Sequence, residues 1–141
     1  MKLIFVFIAA LALANIRADD KPAKTDSAGA TAPAKKYKDI DAETFDKMRK
    51  SEKNAVVLDV RTKDEYKQGH IPGSVLVDFT SPDFEKELGK LDKSKTYLVH
   101  CAVGGRSARA CKKMGALDFS KVYNLEGGMG AWEKAGKPVE K

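Results

Sequence analysis

The sequence predicts an α/β fold with a mostly parallel central sheet of about five strands and helices on both faces. From Tyr37 onward, short runs of β-formers alternate with segments of helical periodicity. The run Ala55-Val56-Val57-Leu58 is continuously apolar rather than alternating, as a strand covered on both faces requires. The stretch from Tyr37 to Lys141 is long enough for one domain with one core and too short for two.

Taken in order, Lys38-Asp39-Ile40 reads as a short first strand, and Asp41 as the N-cap of a helix with Ala42, Phe45 and Met48 on one side. Ala55 to Leu58 is the second strand and ends at Asp59. Thr62 caps the segment Lys63-Asp64-Glu65-Tyr66-Lys67, which Gly69 closes. Val75-Leu76-Val77 forms the third strand, and Ser81-Pro82 starts a helix that sets Phe84 and Leu88 one turn apart. Thr96 to His100 is the fourth strand. The next helix carries Ala110, Cys111, Met114 and Leu117 on one face, Val122 to Leu125 is the last strand, and the final helix turns Met129 and Trp132 to the core. No internal repeat is visible.

Ahead of this domain, Met1-Lys2 and an apolar run from Leu3 to Ala14 resemble a signal peptide, the run being shorter than the roughly 20 residues of a membrane span. Cleavage is expected after Ala14 or Ala18. Residues 19–36 are mostly Ala, Lys, Thr, Pro and Asp, with one Ser, one Gly and no large hydrophobe, so they read as a flexible linker. The expected organisation is a leader over 1–18, a linker over 19–36 and a domain over 37–141, exported to the periplasm or secreted, with no stable membrane insertion once the leader is removed. The net charge of +6 includes Lys2 and Arg17 of the leader, and no basic stripe interleaved with aromatics appears. Nucleic-acid binding is therefore not indicated, whereas a small anionic substrate suits a modest positive balance. Nothing in the sequence speaks to oligomeric state.

The chemistry concentrates where the fourth strand ends, at Cys101-Ala102-Val103-Gly104-Gly105-Arg106-Ser107. A turn from strand into helix leaves backbone N–H groups without helical partners, aimed at one small volume, and these form an anion nest. Gly104 and Gly105 are expected to supply positive φ angles, and Arg106 a permanent charge. Cys101 sits in that field, so its thiolate is favoured, with a pKa drawn from about 8.5 toward roughly 3.5–7.5. The bland alternative is a buried structural cysteine beside a turn.

The loop resembles the active-site loop of the rhodanese family, sulfurtransferases that carry sulfur as a cysteine persulfide. Three further stretches match in order and spacing: Leu58-Asp59-Val60-Arg61 with Glu65, Gly69-His70-Ile71-Pro72-Gly73-Ser74, and Asn124-Leu125-Glu126-Gly127-Gly128-Met129-Gly130-Ala131-Trp132. The match covers about Tyr37 to Gly136. It implies a rhodanese-like fold, Cys101 as nucleophile, and Ala102, Val103, Gly104, Gly105 and Arg106 as the substrate cradle. Asp59, Arg61 and Ser107 are supporting candidates. Asp59 would orient the loop through its amides, and Arg61 would pair with Glu65 across one helical turn.

Cys111 lies on an apolar stripe and reads as core, with a disulfide to Cys101 or a relay role as the alternatives. His70 reads as part of a turn, and His100, preceding Cys101 on a strand, is expected to point to the opposite face. Two cysteines and two histidines support no metal site, and no cofactor is called for. A thiolate attacking a sulfur–sulfur bond needs no general base. The leading expectation is an exported sulfurtransferase moving sulfane sulfur from a donor such as thiosulfate to a thiol or cyanide-like acceptor. A phosphatase or arsenate reductase is the enzymatic alternative, although such loops resemble Cys-x5-Arg and Cys101 and Arg106 enclose only four residues. A rhodanese-like binding module without turnover is the third reading.

Overall fold

The computed structural model describes residues 34–141; the expected leader and most of the expected linker, residues 1–33, lie outside the described residues. Five strands, β1 (Lys38–Ile40), β2 (Ala55–Asp59), β3 (Val75–Leu76), β4 (Thr96–His100) and β5 (Val122–Leu125), pair in parallel in the order β1-β5-β4-β2-β3. The helices are α1 (Ala42–Ser51), α2 (Lys63–Gln68), α3 (Phe84–Gly89), α4 (Gly105–Ala116) and α5 (Gly128–Lys134). The expected α/β class and five-stranded sheet are both present.

Period-two alternation divides the interior into two layers. Tyr97, Val99 and Cys101 pack on one face with Leu58 and Val60 and with Phe84, Leu88, Ala110, Cys111 and Met114 of α3 and α4. Leu98 and Val57 pack on the other with Phe45 of α1 and Met129 and Trp132 of α5. Both layers are apolar, which is why Ala55 to Leu58 shows no polar alternation. Each buried Val, Leu, Phe or Met among them contributes about 1.5–3 kcal/mol on burial. Trp132 is fully buried and its ring N–H donates to the Pro138 carbonyl at 2.8 Å, which fastens the chain after α5 to the core.

The topology places the site. From β4 the chain leaves through α4 toward β5, and from β2 it leaves through α2 toward β3, so the connections diverge between β4 and β2. In open parallel sheets a crevice opens at such a switch point, outside the carboxyl ends of the strands. Asp59 and His100 are register partners there, and Cys101 is the next residue.

Local chemistry sets the element ends. Asp41 caps α1 by accepting from Thr44 N–H at 2.8 Å, and Thr62 and Glu65 form a reciprocal capping box on α2. Two boundaries differ from expectation. Ser81-Pro82 forms a turn, with Ser81 Oγ accepting from Asp83 N–H at 3.2 Å, and α3 begins only at Phe84. β3 stops at Leu76, although Val77 N–H still bonds the Asp59 carbonyl at 2.9 Å.

Candidate active site

Cys101 ends β4 and the chain turns at once into α4. Gly104 makes the turn, with φ 100° and ψ −14°, a left-handed conformation that side chains resist. A Cβ there would also stand 3.4 Å from the Gly127 nitrogen. Gly105 was expected to share this duty. It does not: it is the first residue of α4 and takes no positive φ, because one left-handed residue suffices to turn the strand into the helix.

The loop closes on the sulfur. Cys101 Sγ accepts from Gly104 N–H at 3.1 Å and lies 3.4 Å from Ser107 Oγ. The Ser107 hydroxyl also lies 3.1 Å from the Gly104 carbonyl, and its one proton goes to sulfur when the sulfur is ionised. Burial pushes this thiol up, but the Ser107 hydroxyl and the N–H groups of Ser107, Gly104 and Val103 outweigh it and hold Cys101 below its ordinary 9.0.

The amides point inward because the carbonyls are tied backward. Met129 N–H donates to the Cys101 carbonyl at 2.7 Å and Gly130 N–H to the Ala102 carbonyl at 3.1 Å. In a trans peptide the C=O and the following N–H point in opposite directions. Anchoring two carbonyls on the start of α5 therefore turns the Ala102 and Val103 N–H groups toward the cradle. Gly128 makes this approach possible, since a Cβ there would lie 2.4 Å from the Cys101 carbonyl oxygen.

Arg106 does not stand free beside the sulfur. Its guanidinium is clamped by Glu65, with Nη1 to Oε2 at 2.8 Å and Nη2 to Oε1 at 2.6 Å. That bidentate pair, opposed by burial and helped by Thr62, holds the Glu65 carboxyl at about 2. The pairing of Arg61 with Glu65 is thereby corrected. Arg61 instead forks onto Asp59, with Nε to Oδ1 at 3.0 Å and Nη2 to Oδ2 at 2.7 Å, and also donates to the Gly69 carbonyl at 2.7 Å. The capping box turns Glu65 away from Arg61 and toward α4. Asp59 makes no bond to the loop amides; its partners are Arg61 and, at 3.5 Å, the His100 ring.

Asp59 and Arg61 thus form a buried pair that holds the Gly69 turn rather than the cradle. His100 lies on that side, edge-on to Phe45, and burial pushes it down to about 4, so it is neutral at pH 7. His70 stacks on Tyr66 and sits 3.2 Å from Glu140, in a turn. Cys111 is fully buried in the layer beneath the loop, burial pushes its thiol up, and both cysteines are free thiols.

Sequence reasoning missed the parts of the site that lie far along the chain. Glu65 as the clamp of Arg106, and the Gly128 to Gly130 backbone as the anchor of the loop, are long-range contacts. The doublet Gly127-Gly128 before an Ala/Trp helix was the available signal for the second. Cys101 is fully buried, whereas Val103 at the loop tip is 79% exposed. An apolar cavity of about 290 Å³ between Tyr37 and the end of α4 lies away from this chemistry.

Fold and site together define an α/β protein with a cysteine sulfur held in a cradle of backbone amides at a sheet switch point. The family described as "Rhodanese-like domain" matches residues 41–135, and the chain belongs to it. A protein named putative sulfurtransferase YtwF from Bacillus subtilis is 34% identical over 101 residues, covering 72% of this chain and 95% of that one. One named thiosulfate:glutathione sulfurtransferase from Saccharomyces cerevisiae is 32% identical over 123 residues, covering 77% and 88%. Among solved structures, a rhodanese-related protein from Thermoplasma volcanium superposes with a TM-score of 0.66 at 32% identity, covering 74% of this chain and 98% of that one.

Proposed function

We propose that this protein is an exported sulfurtransferase that carries sulfane sulfur from an anionic donor such as thiosulfate to a thiol or cyanide acceptor, as a persulfide on Cys101. The observation that carries the reading is the Cys101 sulfur at the closed end of a loop whose N–H groups converge on it. Sulfurtransferase names among the relatives support the reaction class.

In the loading step the Cys101 thiolate attacks the outer sulfur of thiosulfate, the Sγ–S bond forms, and sulfite leaves with the electron pair of the broken S–S bond. In the discharge step an acceptor thiolate attacks the outer sulfur, and Cys101 leaves as thiolate. Neither step needs a general base when the attacking thiols are ionised. Cys101 is fully buried beneath the loop.

Two like unit charges 4 Å apart repel by about 4 kcal/mol at an effective dielectric of 20. Glu65 pairs with Arg106 through two hydrogen bonds, and the loop amides add to the offset, at about 1.5–3 kcal/mol for each hydrogen bond to an ion. The four residues between Cys101 and Arg106 are one fewer than in the Cys-x5-Arg loops that phosphatases resemble, and this favours the sulfur reading.

Thiosulfate alone should leave one added sulfur in the intact mass, removable by cyanide and absent from Cys101→Ser. An unmodified mass together with turnover of an aryl phosphate would refute the proposal. Export predicts that the mature protein begins after Ala14 or Ala18, read from the intact mass of the protein recovered outside the cytoplasm.

A further inference from the structure

Strands β1, β5, β4 and β2 run parallel, so their amino ends lie together at the pole of the sheet opposite Cys101. A lysine stands at each of those ends: Lys38 opens β1, Lys121 precedes β5, Lys95 precedes β4, and Lys53 lies two residues before β2. Neighbouring strands are about 4.8 Å apart, so in sheet order the four form a row roughly 14 Å long. Backbone bonds fix the register there, with Tyr97 N–H donating to the Lys121 carbonyl at 2.8 Å and Thr96 N–H to the Asn54 carbonyl at 3.1 Å.

Helix dipoles do not account for the row. A lysine in the last turn of a helix, such as Lys113 of α4, complements the dipole, but these four lie in loops or at a strand start. All four are exposed, and none has a carboxylate partner among the described residues. The nearby acids are engaged elsewhere: Asp92 accepts from the N–H and hydroxyl of Ser94 at 2.9 and 2.6 Å, and Asp118 lies 3.9 Å from Lys36 Nζ, which leaves Glu52. Uncompensated like charges set side by side suit an extended anionic surface.

The same pole carries the apolar cavity of about 290 Å³ between Tyr37 and the end of α4, and its rim includes Lys35, Lys36 and Lys112. Gly115 lets the entering chain pass so close that a Cβ there would lie 2.8 Å from Lys36 Cβ. A nucleic-acid backbone offers charge without aliphatic surface, whereas a phospholipid leaflet offers both. The chain enters the domain at this pole, and the sequence upstream holds the apolar run from Leu3 to Ala14 together with Lys21 and Lys24. A run of that kind tethers this pole, rather than the other, to a bilayer.

We propose that the amino pole of the sheet docks on a bilayer containing anionic phospholipid, with Lys38, Lys121, Lys95 and Lys53 against the phosphates and the apolar cavity facing the leaflet. Docking is peripheral and inserts no helix of the domain. The five-residue strands β2 and β4 hold Cys101 about 16 Å from the row, beyond the screening length of about 10 Å at 0.1 M salt. The charge of the leaflet therefore does not repel an anion that approaches the cysteine.

The test floats the full-length protein with vesicles of phosphatidylcholine alone, or of phosphatidylcholine and phosphatidylglycerol in equal parts, in about 0.1 M salt. Each lysine near an anionic leaflet is worth about fivefold in partitioning. Lys53→Gln/Lys95→Gln/Lys121→Gln should therefore weaken binding to the mixed vesicles about tenfold or more, allowing for screening. Lys63→Gln/Lys67→Gln/Lys141→Gln removes the same charge away from the pole and should stay within about threefold of wild type. Equal losses in the two variants, equal binding of wild type to both kinds of vesicle, or an oligonucleotide bound as tightly as the mixed vesicles would overturn the proposal. Orientation has its own readout: iodoacetamide, which is uncharged, should alkylate Cys101 at the same rate with and without mixed vesicles, and a slowed reaction would overturn the outward-facing site. Neither measurement involves sulfur transfer, so the docking surface stands or falls apart from the sulfurtransferase reading.

Discussion

Glu65→Gln tests the clamp on Arg106 through both stability and binding. The wild-type carboxyl sits at about 2 against an ordinary 4.5, chiefly through the Arg106 guanidinium. That gap corresponds to about 3.4 kcal/mol of stabilisation at neutral pH. The Glu65 side chain keeps 31% of its surface in water, so screening reduces this to about 1–2 kcal/mol. Glutamine keeps an oxygen for the Thr62 N–H and loses the charge. The folded-state pKa lies below the unfolded one, so the stabilisation is complete above about pH 4.5 and is lost as pH falls through about 2. Urea unfolding at constant ionic strength should therefore show wild type ahead by about 1–2 kcal/mol at pH 7, by less than half of that at pH 3, and level near pH 2. A gap that stays constant from pH 7 down to pH 2.5 would refute the electrostatic account. The same variant frees Arg106 to face an anionic donor, so its KM for thiosulfate should fall, whereas Arg106→Ala should raise KM; a rise of equal size in both would mean that the pair acts only as a strut.

Four further substitutions probe the cradle and the layer beneath it. Ser107→Ala removes a hydrogen-bond donor to the Cys101 sulfur and should raise the apparent pKa of Cys101, seen as an alkaline shift in the iodoacetamide alkylation profile; an unmoved midpoint would assign the effect to the amides alone. Cys101→Ser should abolish sulfur transfer with an unchanged circular dichroism spectrum, while Cys111→Ala keeps most activity, and equal losses would place Cys111 in the chemistry. Gly128→Ala sets a methyl group against the Cys101 carbonyl at a left-handed position, so a loss of about 2 kcal/mol or more and a collapse of transfer are expected, with near-wild-type melting and activity as the contrary outcome.

How far the sequence reveals the molecule depends on the range of the interaction. The apolar run at Ala55, the Thr62 cap and the Phe84/Leu88 pair are governed by neighbours within a turn or a strand, and all three recur in the fold. His100 was legible for the same reason, since alternation along β4 alone sends it away from Cys101. Arg61 was not. Glu65 lies four residues on and Asp59 two back, both within its reach, and the choice was made by α4, which brings Arg106 to Glu65 across 41 positions of sequence. Gly105 shows a subtler limit: two adjacent glycines permit two left-handed residues, and only the path of the helix decides that one is used.

The anchoring of the Cys101 and Ala102 carbonyls on α5 separates two properties that most nucleophile loops mix. The groups that tune the sulfur are mostly peptide N–H groups, which every residue except proline possesses, so nucleophilicity is indifferent to the side chains at 102 and 103. Those side chains stand at the entrance, with Val103 almost wholly in water. Replacing them redraws which donors and acceptors gain entry without retuning the atom that reacts, so selectivity can drift over evolutionary time, or be redesigned at the bench, while the reactivity of the thiolate is held constant by the backbone.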